Sequence, residues 1–268
     1  CILATKSFSG TDLSAAADLI SRAIDKGFCI RHDAFGMKSY YTTWERGIAN
    51  RYFRMRPIIG EGGWVQASHG SSITSDGYAN YTEVRKGEFD EAKASHVNMM
   101  DFRYATGITS GETHSWFTAA FDLVKEFIAE GGYRLYPDKI SIPASAASGL
   151  TIQITHRWST LGGGYCPNNI PQWNYKYKVA FALLDKATEK PVYTFVDETP
   201  KISDWLRGSP STYTFKFSLS DVMPNNYIWA VGIVDTSKSN STIGLYVSAR
   251  DEYLTSDGWV KLIDVSVK

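Results

Sequence analysis

The sequence predicts an α/β part, residues 1–132, followed by an all-β part, residues 133–268. Up to Gly132, short apolar runs alternate four times with segments of helical periodicity, which is typical of a parallel sheet with helical crossovers. From Tyr133 onwards, apolar and polar residues alternate singly in short runs that Pro, Asn, Asp and Gly residues separate. That second pattern is typical of an antiparallel sandwich.

Four apolar runs in the first part are predicted to be parallel strands: residues 2–5, 28–30, 57–59 and 97–100. Helical spacing of apolar residues is clear over residues 13–24, and again over 116–128, where it forms one continuous stripe. It is weaker over residues 37–52 and 88–95. A complete (β/α)8 barrel takes about 250 residues. Four strand–helix units therefore correspond either to an open α/β sheet or to half of a barrel whose other strands lie upstream.

Seven runs in the second part are predicted to be strands: residues 150–156, 175–181, 192–195, 212–219, 227–234, 243–247 and 259–267. The boundary between the two parts falls near Gly132 or at the linker-like turn over residues 143–149. The apolar stripe over residues 116–128 then packs against the first part.

The composition indicates a soluble globular protein that does not bind nucleic acid. Of its 268 residues, 43% are hydrophobic and 21% are charged, which is usual for this class. The 28 basic and 28 acidic residues give a formal net charge of zero, whereas nucleic-acid-binding proteins normally show a basic excess or stripe. Aromatic residues make up 14% of the chain. Aromatic rings stack on sugar faces, but they also fill the cores of β-sandwiches, and the second use is the simpler one.

No cofactor, metal site or membrane span is predicted. The three cysteines, Cys1, Cys29 and Cys166, are too few and too irregularly spaced for a disulfide framework or a zinc site. No apolar run approaches the length of about 20 residues that crosses a bilayer. The sequons at Asn80 and Asn240 would permit N-glycosylation in a eukaryotic secretory pathway. The chain begins directly in a predicted strand, without a signal peptide or an initiator Met, so we expect that residue 1 is not the natural start of the polypeptide.

Glu61 is the candidate catalytic residue. It follows a predicted buried strand that contains Ile58 and Ile59, and it stands between Gly60 and Gly62. Parallel α/β barrels carry their chemistry at the carboxyl ends of the strands, where a single acidic side chain is presented in this way. The alternative is that Glu61 is a solvated turn residue between two flexible glycines.

Asp33 and Asp101 follow the two neighbouring strands, so we expect them to share a cleft with Glu61. Each is a candidate for hydrogen bonding to a sugar hydroxyl and, as a second option, for the acid of a glycosidase. The favoured alternative is that they form salt bridges with Arg31 or Arg103.

A series of motifs runs through both parts in a recognisable order. They are Arg31-His-Asp-Ala-Phe35, Ile59-Gly-Glu-Gly62, His96 ahead of Asp101, Gly132-Tyr-Arg-Leu135, His156-Arg-Trp158 with Leu161-Gly162, Asp204-Trp-Leu-Arg-Gly208 and Asp257-Gly-Trp259. This order resembles the C-terminal part of a group of secreted, mostly bacterial proteins. Those proteins pair a glycoside-hydrolase-like barrel with a β-sandwich of formerly unknown function. The resemblance covers nearly the whole chain, and its motifs in the second part are the more specific ones.

The resemblance implies a fold and an activity. The fold is the C-terminal half of a TIM-type (β/α)8 barrel, with its fifth to eighth strands, followed by an antiparallel, immunoglobulin-like β-sandwich. The activity is that of a secreted, retaining glycoside hydrolase on a polysaccharide or oligosaccharide. Glu61 then ends the seventh strand as the nucleophile, and the acid/base lies on the fourth strand, which this sequence does not contain. The upstream part of the same polypeptide, or another chain, completes the barrel.

The candidate substrate-binding residues are Arg31, His32, Asp33, Trp64, Asp101 and Arg103. Trp64 either stacks under a sugar ring or packs in the core. The sequence departs from the family pattern at two of these positions, because Asp101 stands where asparagine is usual and His32 stands where the family tends towards asparagine. A conserved sugar-binding role for these two side chains is therefore open. His32 and His96 are expected to be polar neighbours of the site rather than metal ligands.

Other catalytic classes lack their motifs. His69 is not part of an HExxH pattern, no Gly-x-Ser-x-Gly elbow is present, and the three glycines at 162–164 do not precede a helix. A zinc protease, a hydrolase triad and a phosphate loop are therefore not predicted. The alternative to an enzyme is a non-catalytic carbohydrate-binding or structural, assembly-forming protein with the same scaffold.

Four aromatic residues of the second part are candidates for a sugar platform: Trp158, Tyr165, Trp173 and Trp205. The simpler explanation is that they pack between the two parts of the chain.

Overall fold

The computed structural model of the protein describes residues 2–4, 13–33, 35, 41–62, 77–102, 116–240 and 242–268. The chain divides into two compact units. The first comprises Cys1–Tyr133 and Leu161–Pro171, and the second comprises Arg134–Thr160 and Gln172–Lys268. Residues 161–171 therefore group with the first unit, although the sequence analysis placed them in the second part.

In the described part of the first unit, four parallel strands form one sheet, and their spatial order is their order in the chain. They are β1 (Ile2–Ala4), β2 (Cys29–Asp33), β3 (Ile58–Glu61) and β4 (Met99–Asp101). Each overlaps a run that the sequence predicted to be a strand, so those four predictions are confirmed. The pairing places Asp33 beside Glu61, and Glu61 beside Asp101.

The helices described in this unit are α1 (Leu13–Asp25), α2 (Thr43–Tyr52), α3 (Tyr81–Ala94), α4 (Trp116–Ala119) and α5 (Phe121–Glu130). Local sequence determines where several of them begin and end. Thr42 and Glu45 form a capping box at the start of α2. Asn80 caps α3 by accepting a hydrogen bond from the N–H of Glu83. Gly27 follows α1 with a φ of +90°, which glycine adopts without a steric penalty.

The apolar stripe over residues 116–128 does not form one continuous helix as predicted. Ala120 has a φ of −152° and separates α4 from α5. Because a residue outside the helical region interrupts the 3.6-residue repeat, the side chains before and after it do not share one face. Trp116 and Val124 are buried, whereas Phe121 and Ile128 are 51% and 63% exposed.

The helices cover one face of the four-stranded sheet. On that face Ile30, Ile58 and Met100 belong to the same buried cluster as Ile20 and Ile24 of α1. Side chains of α2, α3 and α5 complete this cluster. Full burial of a side chain of this size contributes about 1.5–3 kcal/mol. The apolar contacts that stabilise the first unit are therefore concentrated on its helix-covered face.

The described residues of the second unit form nine strands: β5 (Leu135–Ser141), β6 (Ser145–Ala146), β7 (Thr151–Thr160), β8 (Tyr177–Asp185), β9 (Pro191–Asp197), β10 (Ser211–Ser218), β11 (Asn225–Asp235), β12 (Ile243–Leu245) and β13 (Val260–Val267). They form two sheets. A three-stranded antiparallel sheet has the order β10–β7–β5, and a six-stranded sheet has the order β6–β13–β11–β8–β9, with β12 also paired to β11. Among the strands described in this unit, only the short pairing of β6 with β13 is parallel.

All seven strands predicted in this part of the chain are present, and the structure adds β5 and β6. Strand β5 contains Pro137, at which the register with β7 shifts. Proline is tolerated there because β5 lies at the edge of its sheet, where a backbone N–H is not needed for a further ladder. Strand β6 is two residues long and lies within residues 143–149, which were predicted to form a linker-like turn.

Aromatic side chains fill the space between the two sheets of the second unit. Phe181 of β8 stacks with Phe215 of β10 at a ring distance of 6.3 Å, and Phe195 of β9 stacks with Phe217 of β10 at 4.2 Å. These contacts join strands of different sheets, and aromatic pairs in such geometry stabilise a core beyond their buried area. The chain as a whole is a mixed α/β protein in which sheets predominate over helices.

Candidate functional site

Three carboxylates lie in one row at the carboxyl ends of β2, β3 and β4. Asp33, Glu61 and Asp101 are neighbours in the parallel pairing. Because they are in register and side chains alternate between the faces of a strand, all three belong to the same face of the sheet. Neighbouring strands are about 4.8 Å apart, so the three acidic groups share a strip of surface about 10 Å wide.

The carboxylate row lies on the face opposite the helices. Met99 belongs to this face and is 56% exposed, whereas the next residue, Met100, belongs to the helix-covered face and is 7% exposed. Cys29 and Ile59, which are half-buried, lie on the same face as the row by the same alternation. The described part of the first unit thus presents acidic groups at one edge of this face and apolar groups below them.

Glu61 is a buried strand residue and not the solvated turn residue of the alternative interpretation. It is the last residue of β3 and is 4% exposed. The guanidinium of Arg31 contacts Oε2 of Glu61, and it also contacts Oδ1 of Asp33. Removing a charge from water without a partner costs several kcal/mol. Arg31 therefore supplies the counter-charge that allows Glu61 to be buried in the row.

The two outer carboxylates are more exposed than the central one. The Asp33 side chain is 52% exposed and pairs with Arg31, so the salt-bridge alternative applies to this residue. Asp101 is exposed, and its carbonyl oxygen accepts a hydrogen bond of 3.0 Å from the N–H of Gly62. That bond continues the pairing of β3 with β4 beyond Glu61 and fixes the spacing of the row.

The glycines on either side of the glutamate lie in tightly packed surroundings, most of all Gly62. A Cβ on Gly60 would lie 3.0 Å from Sδ of Met100 and 3.2 Å from the ring of Phe35, and a Cβ on Gly62 would overlap the indole nitrogen of the buried Trp116. Real Cβ atoms essentially never approach other atoms as closely as one on Gly62 would, so a larger residue there would force Trp116 to move. At Gly60 the contact is only tight, and the neighbouring side chains would have to shift by a few tenths of an ångström. The Gly-Glu-Gly pattern thus marks a carboxylate on one face of a strand whose other face is pressed against large side chains.

His32 lies on the helix-covered face, apart from the carboxylates. It is 1% exposed, and its ring meets Phe35 and Tyr41 edge-on at centroid distances of 5.8 and 4.9 Å. Its Nδ1 lies 2.6 Å from the carbonyl oxygen of Asp33. The single-residue alternation of the strand causes this separation, because positions 31 and 33 share one face and position 32 occupies the other. The predicted role of His32 in substrate binding does not fit this position.

Trp64 and Arg103, which were predicted to bind substrate, lie outside the described residues, as does His69. The stacking role of Trp64 and the pairing of Arg103 with an acidic side chain stay predictions.

Within the described residues, no group of three or more His, Cys, Asp or Glu side chains is placed to hold a metal ion. His96 stacks on Phe53 at a centroid distance of 3.9 Å, and its Nδ1 lies 2.9 Å from the carbonyl oxygen of Gly163.

Burial raises the pKa of the Cys166 thiol to about 12. Cys166 therefore stays protonated and unreactive at neutral pH.

A buried ion pair in α3 was not predicted from the sequence. Nη1 of Arg85 donates to Oε2 of Glu88 over 2.8 Å within α3, and the two side chains are 1% and 0% exposed. The Arg85 guanidinium also lies 5.3 Å from the ring centre of Trp116, the residue that packs against Gly62. Charged residues three positions apart on a helix usually form a solvated face, so the sequence carried no signal for this burial.

Both sequon asparagines are exposed. Oδ1 of Asn80 accepts the capping hydrogen bond from the N–H of Glu83 over 3.0 Å. Its Nδ2, the atom that carries an N-linked glycan, makes no hydrogen bond to any residue that the structure describes. Asn240 has a φ of +78°, a left-handed conformation that asparagine tolerates better than most residues.

Comparison with known proteins gives no assignment from sequence and weak likenesses from structure. No family model matches the chain, and no curated protein matches it. The CARDB domain of a Pyrococcus furiosus protein is similar with a TM-score of 0.29 and 14% identity, over 51% of this chain and 89% of that domain.

Two glycoside hydrolases are also among the similar structures. The endo-β-1,4-mannanase from Thermotoga petrophila has a TM-score of 0.25 and 10% identity, over 97% of this chain and 50% of the mannanase. A β-glucosidase from Listeria innocua has a TM-score of 0.27 and 9% identity, over 94% of this chain and 38% of that enzyme. The chain thus spans half or less of these two enzymes. Likenesses at such scores do not assign the chain to either family.

No helix in the described part of the chain is both long enough and apolar enough to cross a membrane.

Proposed function

We propose that the chain is the C-terminal portion of a secreted, retaining glycoside hydrolase that acts on a β-linked polysaccharide or oligosaccharide. In this proposal Glu61 is the nucleophile, and Arg31, Asp33 and Asp101 bind the sugar around it. The observation that carries the proposal is the row of three carboxylates on one face of a parallel sheet, with the buried member at its centre. Enzymes built on parallel α/β barrels place their catalytic groups at this end of the strands.

In the same proposal residues 1–132 are the C-terminal half of a TIM-type (β/α)8 barrel. The strand order supports this, because the four strands are neighbours in chain order, whereas a doubly wound sheet reverses its order at a switch point. The exposure of Met99 on the carboxylate face also supports it, since the interior of a complete barrel is filled by side chains from all eight strands. The upstream part of the same polypeptide, or another chain, would supply the remaining strands.

Residues 133–268 are proposed to be an immunoglobulin-like β-sandwich. Two sheets that are almost wholly antiparallel and that share an aromatic core support this assignment.

In the proposed reaction a carboxylate oxygen of Glu61 attacks the anomeric carbon, and the bond from that carbon to the leaving oxygen breaks. A second carboxylic acid gives its proton to the leaving oxygen. Water then attacks the anomeric carbon of the glycosyl ester of Glu61 and gives a proton to the second carboxylate, and Glu61 is released as a carboxylate. Arg31 holds the attacking carboxylate in position through its contact with Oε2.

The second carboxylic acid is assigned to a strand that completes the barrel. Retention requires two carboxyl groups about 5–5.5 Å apart. The backbones of Asp33 and Asp101 lie about 4.8 Å on either side of the Glu61 backbone. Asp33, however, forms a salt bridge with Arg31. In this proposal both aspartates also lie on the same side of the cleft as the nucleophile, whereas the acid has to approach the sugar from elsewhere. We therefore expect residues 1–268 alone to hydrolyse no β-glycoside. Release of sugar by this chain on its own would contradict that expectation.

Glu61→Gln in the complete protein tests the nucleophile. We expect the turnover of an aryl β-glycoside to fall by several orders of magnitude, because the amide does not attack the anomeric carbon, while folding is retained. Glu61→Asp is the matched control, because it keeps the charge but shortens the side chain by one methylene. Its turnover should lie between that of the unaltered protein and that of Glu61→Gln. Unchanged turnover in the Gln variant would refute the assignment.

Two further measurements distinguish a nucleophile from a structural carboxylate. A fluorosugar glycoside that forms a slowly hydrolysed glycosyl ester should add one sugar to the peptide that contains Glu61. Azide should restore turnover to Glu61→Ala, because the anion attacks from the side that the carboxylate occupied, and the product should be the glycosyl azide of inverted configuration. A residue needed only for folding gives neither result.

The second candidate function is a non-catalytic carbohydrate-binding or structural protein with the same scaffold. One observation favours it: Arg31 contacts both Asp33 and Glu61, so the centre of the row is charge-compensated, as in a structural ion-pair cluster. The two functions require different residues at the carboxyl end of the strand that would complete the barrel and carry the acid/base. A carboxylate at its carboxyl end supports the enzyme, and an uncharged side chain there rules the enzyme out.

A secreted or cell-surface location is part of the proposal. The exposure of Asn80 and Asn240 supports it, because both residues are accessible to the glycosylation machinery of a secretory pathway.

A further inference from the structure

We infer that the second unit carries a separate binding site for a neutral oligosaccharide, in the pocket around Trp173 and Tyr175. The pocket has a volume of about 530 Å³, within the range of roughly 300–1,000 Å³ that is usual for small-molecule sites. Its walls come from residues 172–176, from Lys178, and from Thr236 and Ser237, which follow β11. This inference does not depend on the catalytic role of Glu61, because all of these residues belong to the second unit.

A strained turn presents the aromatic rings of this pocket. Asn174 and Tyr175 have φ values of +44° and +58°, and a bulky residue such as tyrosine rarely adopts this left-handed conformation. The N–H of Lys176 closes the turn by donating to the carbonyl oxygen of Trp173 over 2.9 Å. Tyr175 is 44% exposed, and the half-buried Trp173 meets Tyr177 edge-on at 4.9 Å. Backbone strain of this kind is concentrated at functional sites. Here the strained turn keeps the ring of Tyr175 exposed, while the ring of Trp173 packs against Tyr177.

Polar side chains that are not used by the protein stand beside the rings. Gln172 and Asn174 are exposed, and their amides make no hydrogen bond to any residue in the described part of the chain. The same holds for the hydroxyl of Tyr175. An amide offers both donors and an acceptor, as sugar hydroxyls do. A pyranose has an apolar C–H face and a rim of hydroxyls, so an exposed aromatic ring with amides around it matches both of its surfaces.

The charges around the pocket are paired within the protein. Nζ of Lys176 lies 2.8 Å from Oδ2 of Asp235, and Nζ of Lys178 lies 2.9 Å from Oε2 of Glu198. The hydrogen bond with Asp235 raises the pKa of Lys176, so this pair persists throughout the neutral range. Each lysine has a carboxylate of its own, so the pocket carries no excess charge to attract a phosphate, a carboxylate or a cation. This favours a neutral sugar over an acidic or phosphorylated one.

The test is the binding of defined probes to the chain of residues 1–268, measured by calorimetry and by ligand-observed NMR. The probes are the hexasaccharides of cellulose, mannan and xylan, with oligogalacturonate as the charged counterpart. We expect at least one neutral probe to bind at millimolar or lower concentration. Tyr175→Ala should weaken that binding about tenfold, because it removes the exposed ring.

Matched variants separate this pocket from other surfaces. Tyr246→Ala removes a tyrosine of the same unit that is 74% exposed and does not line the pocket, and it should leave the affinity unchanged. Asn174→Gly relieves the strained turn and removes one amide, so it should raise the melting temperature and weaken binding. Glu61→Gln should leave this binding intact, whatever it does to hydrolysis. The inference is wrong when no neutral probe binds, when Tyr175→Ala binds as the unaltered chain does, or when oligogalacturonate binds more tightly than every neutral probe.

Discussion

The indole Nε1–H of Trp158 donates a hydrogen bond of 2.8 Å to Nδ1 of His156 in the interior of the second unit. Because the indole nitrogen only donates, Nδ1 carries a lone pair and the imidazole proton lies on Nε2. Nε2 then donates to Oδ2 of Asp197 over 2.9 Å. The three side chains are at most 1% exposed, and they connect β7 of one sheet with β9 of the other. The chain of hydrogen bonds therefore fixes one tautomer in the core.

We expect Asp197→Ala to lower the free energy of unfolding by about 2–5 kcal/mol, because each buried donor left without an acceptor costs about 1–3 kcal/mol. The change leaves Nε2–H of His156 without its acceptor, together with the N–H of Thr199, which donates to Oδ1 of Asp197 over 2.9 Å. Denaturant titration followed by tryptophan fluorescence measures the loss. Asp197→Asn keeps one of the two accepting oxygens and places an NH2 group against the other donor, so its cost should be smaller, about 1–3 kcal/mol. Equal costs for the two variants would contradict this account.

The same carboxylate makes stability depend on pH. Burial by itself would raise the pKa of Asp197, but the hydrogen bonds from His156 and Thr199 outweigh burial and hold that pKa below its usual value. Because the folded pKa is depressed, the stabilisation is complete above the pKa of an unfolded aspartate, about 3.9, and is lost as the pH falls through the folded value. The melting temperature of the second unit should therefore fall as the pH drops below about 4.

Asp197→Asn should make that fall shallower. Other carboxylates with lowered pKa values contribute to it as well: Asp138, Asp185 and Asp235. The informative quantity is therefore the difference in slope between the variant and the unaltered protein, from thermal unfolding at a series of pH values.

Gly62→Ala should destabilise the first unit by about 1–3 kcal/mol, the usual cost of overpacking. The added methyl would overlap the indole of Trp116, which is completely buried. Gly47→Ala is the matched control, because a Cβ there meets nothing within 4 Å and the residue lies inside α2. That variant should stabilise the protein by about 0.5–1 kcal/mol, since alanine favours the helix. Denaturant titration of both variants measures the two changes, and effects of equal sign would show that packing against Trp116 is not the constraint.

Most of the fold followed from local sequence patterns, and the exceptions have physical causes. The alternation of polar and apolar residues predicted seven strands of the second unit, because each strand buries one face. Strand β5 was not predicted, because a proline such as Pro137 normally argues against a strand. Proline is acceptable there only because β5 lies at the edge of its sheet. The grouping of residues 161–171 with the first unit was not predicted, because it depends on long-range contacts. The N–H of Gly163 donates to the carbonyl oxygen of Glu130 over 3.1 Å, and a Cβ on Gly162 would overlap the carbonyl oxygen of Gly132.

The grouping of the acidic residues could also be predicted, since the carboxyl ends of parallel strands meet at one edge of a sheet. The contact of Arg31 with Glu61 could not, because it depends on the register of β2 against β3. The position of His32 was open to prediction from the two-residue period of a strand, which places it on the face opposite Arg31 and Asp33. Sequence alone gave no reason to bury Arg85 and Glu88, whose burial depends on the packing around α3.

Arg31→Met should destabilise the first unit by about 3–5 kcal/mol, because it leaves the buried carboxylate of Glu61 without its counter-charge. Combining Arg31→Met with Glu61→Gln should recover much of that loss, and a double-mutant cycle from denaturant titrations measures the coupling. Lys86 and Asp90 form a surface pair in α3 and give the control: Lys86→Met should cost less than about 1 kcal/mol. A coupling energy between Arg31 and Glu61 as small as that of the surface pair would show that Arg31 does not support the burial of Glu61.

Asn80 has two roles that substitution can separate. Its Oδ1 caps α3, and its Nδ2 is the predicted site of a glycan. Asn80→Asp keeps a capping oxygen and removes the sequon, so protein from a eukaryotic secretory host should lose one glycan mass and keep its melting temperature. Asn80→Ala should lose the same mass and also about 1 kcal/mol of stability, because the first turn of α3 loses its cap. Intact mass spectrometry and thermal unfolding report the two effects independently. An unaltered mass in both variants shows that Asn80 is not modified, and equal melting temperatures show that the cap does not stabilise the helix.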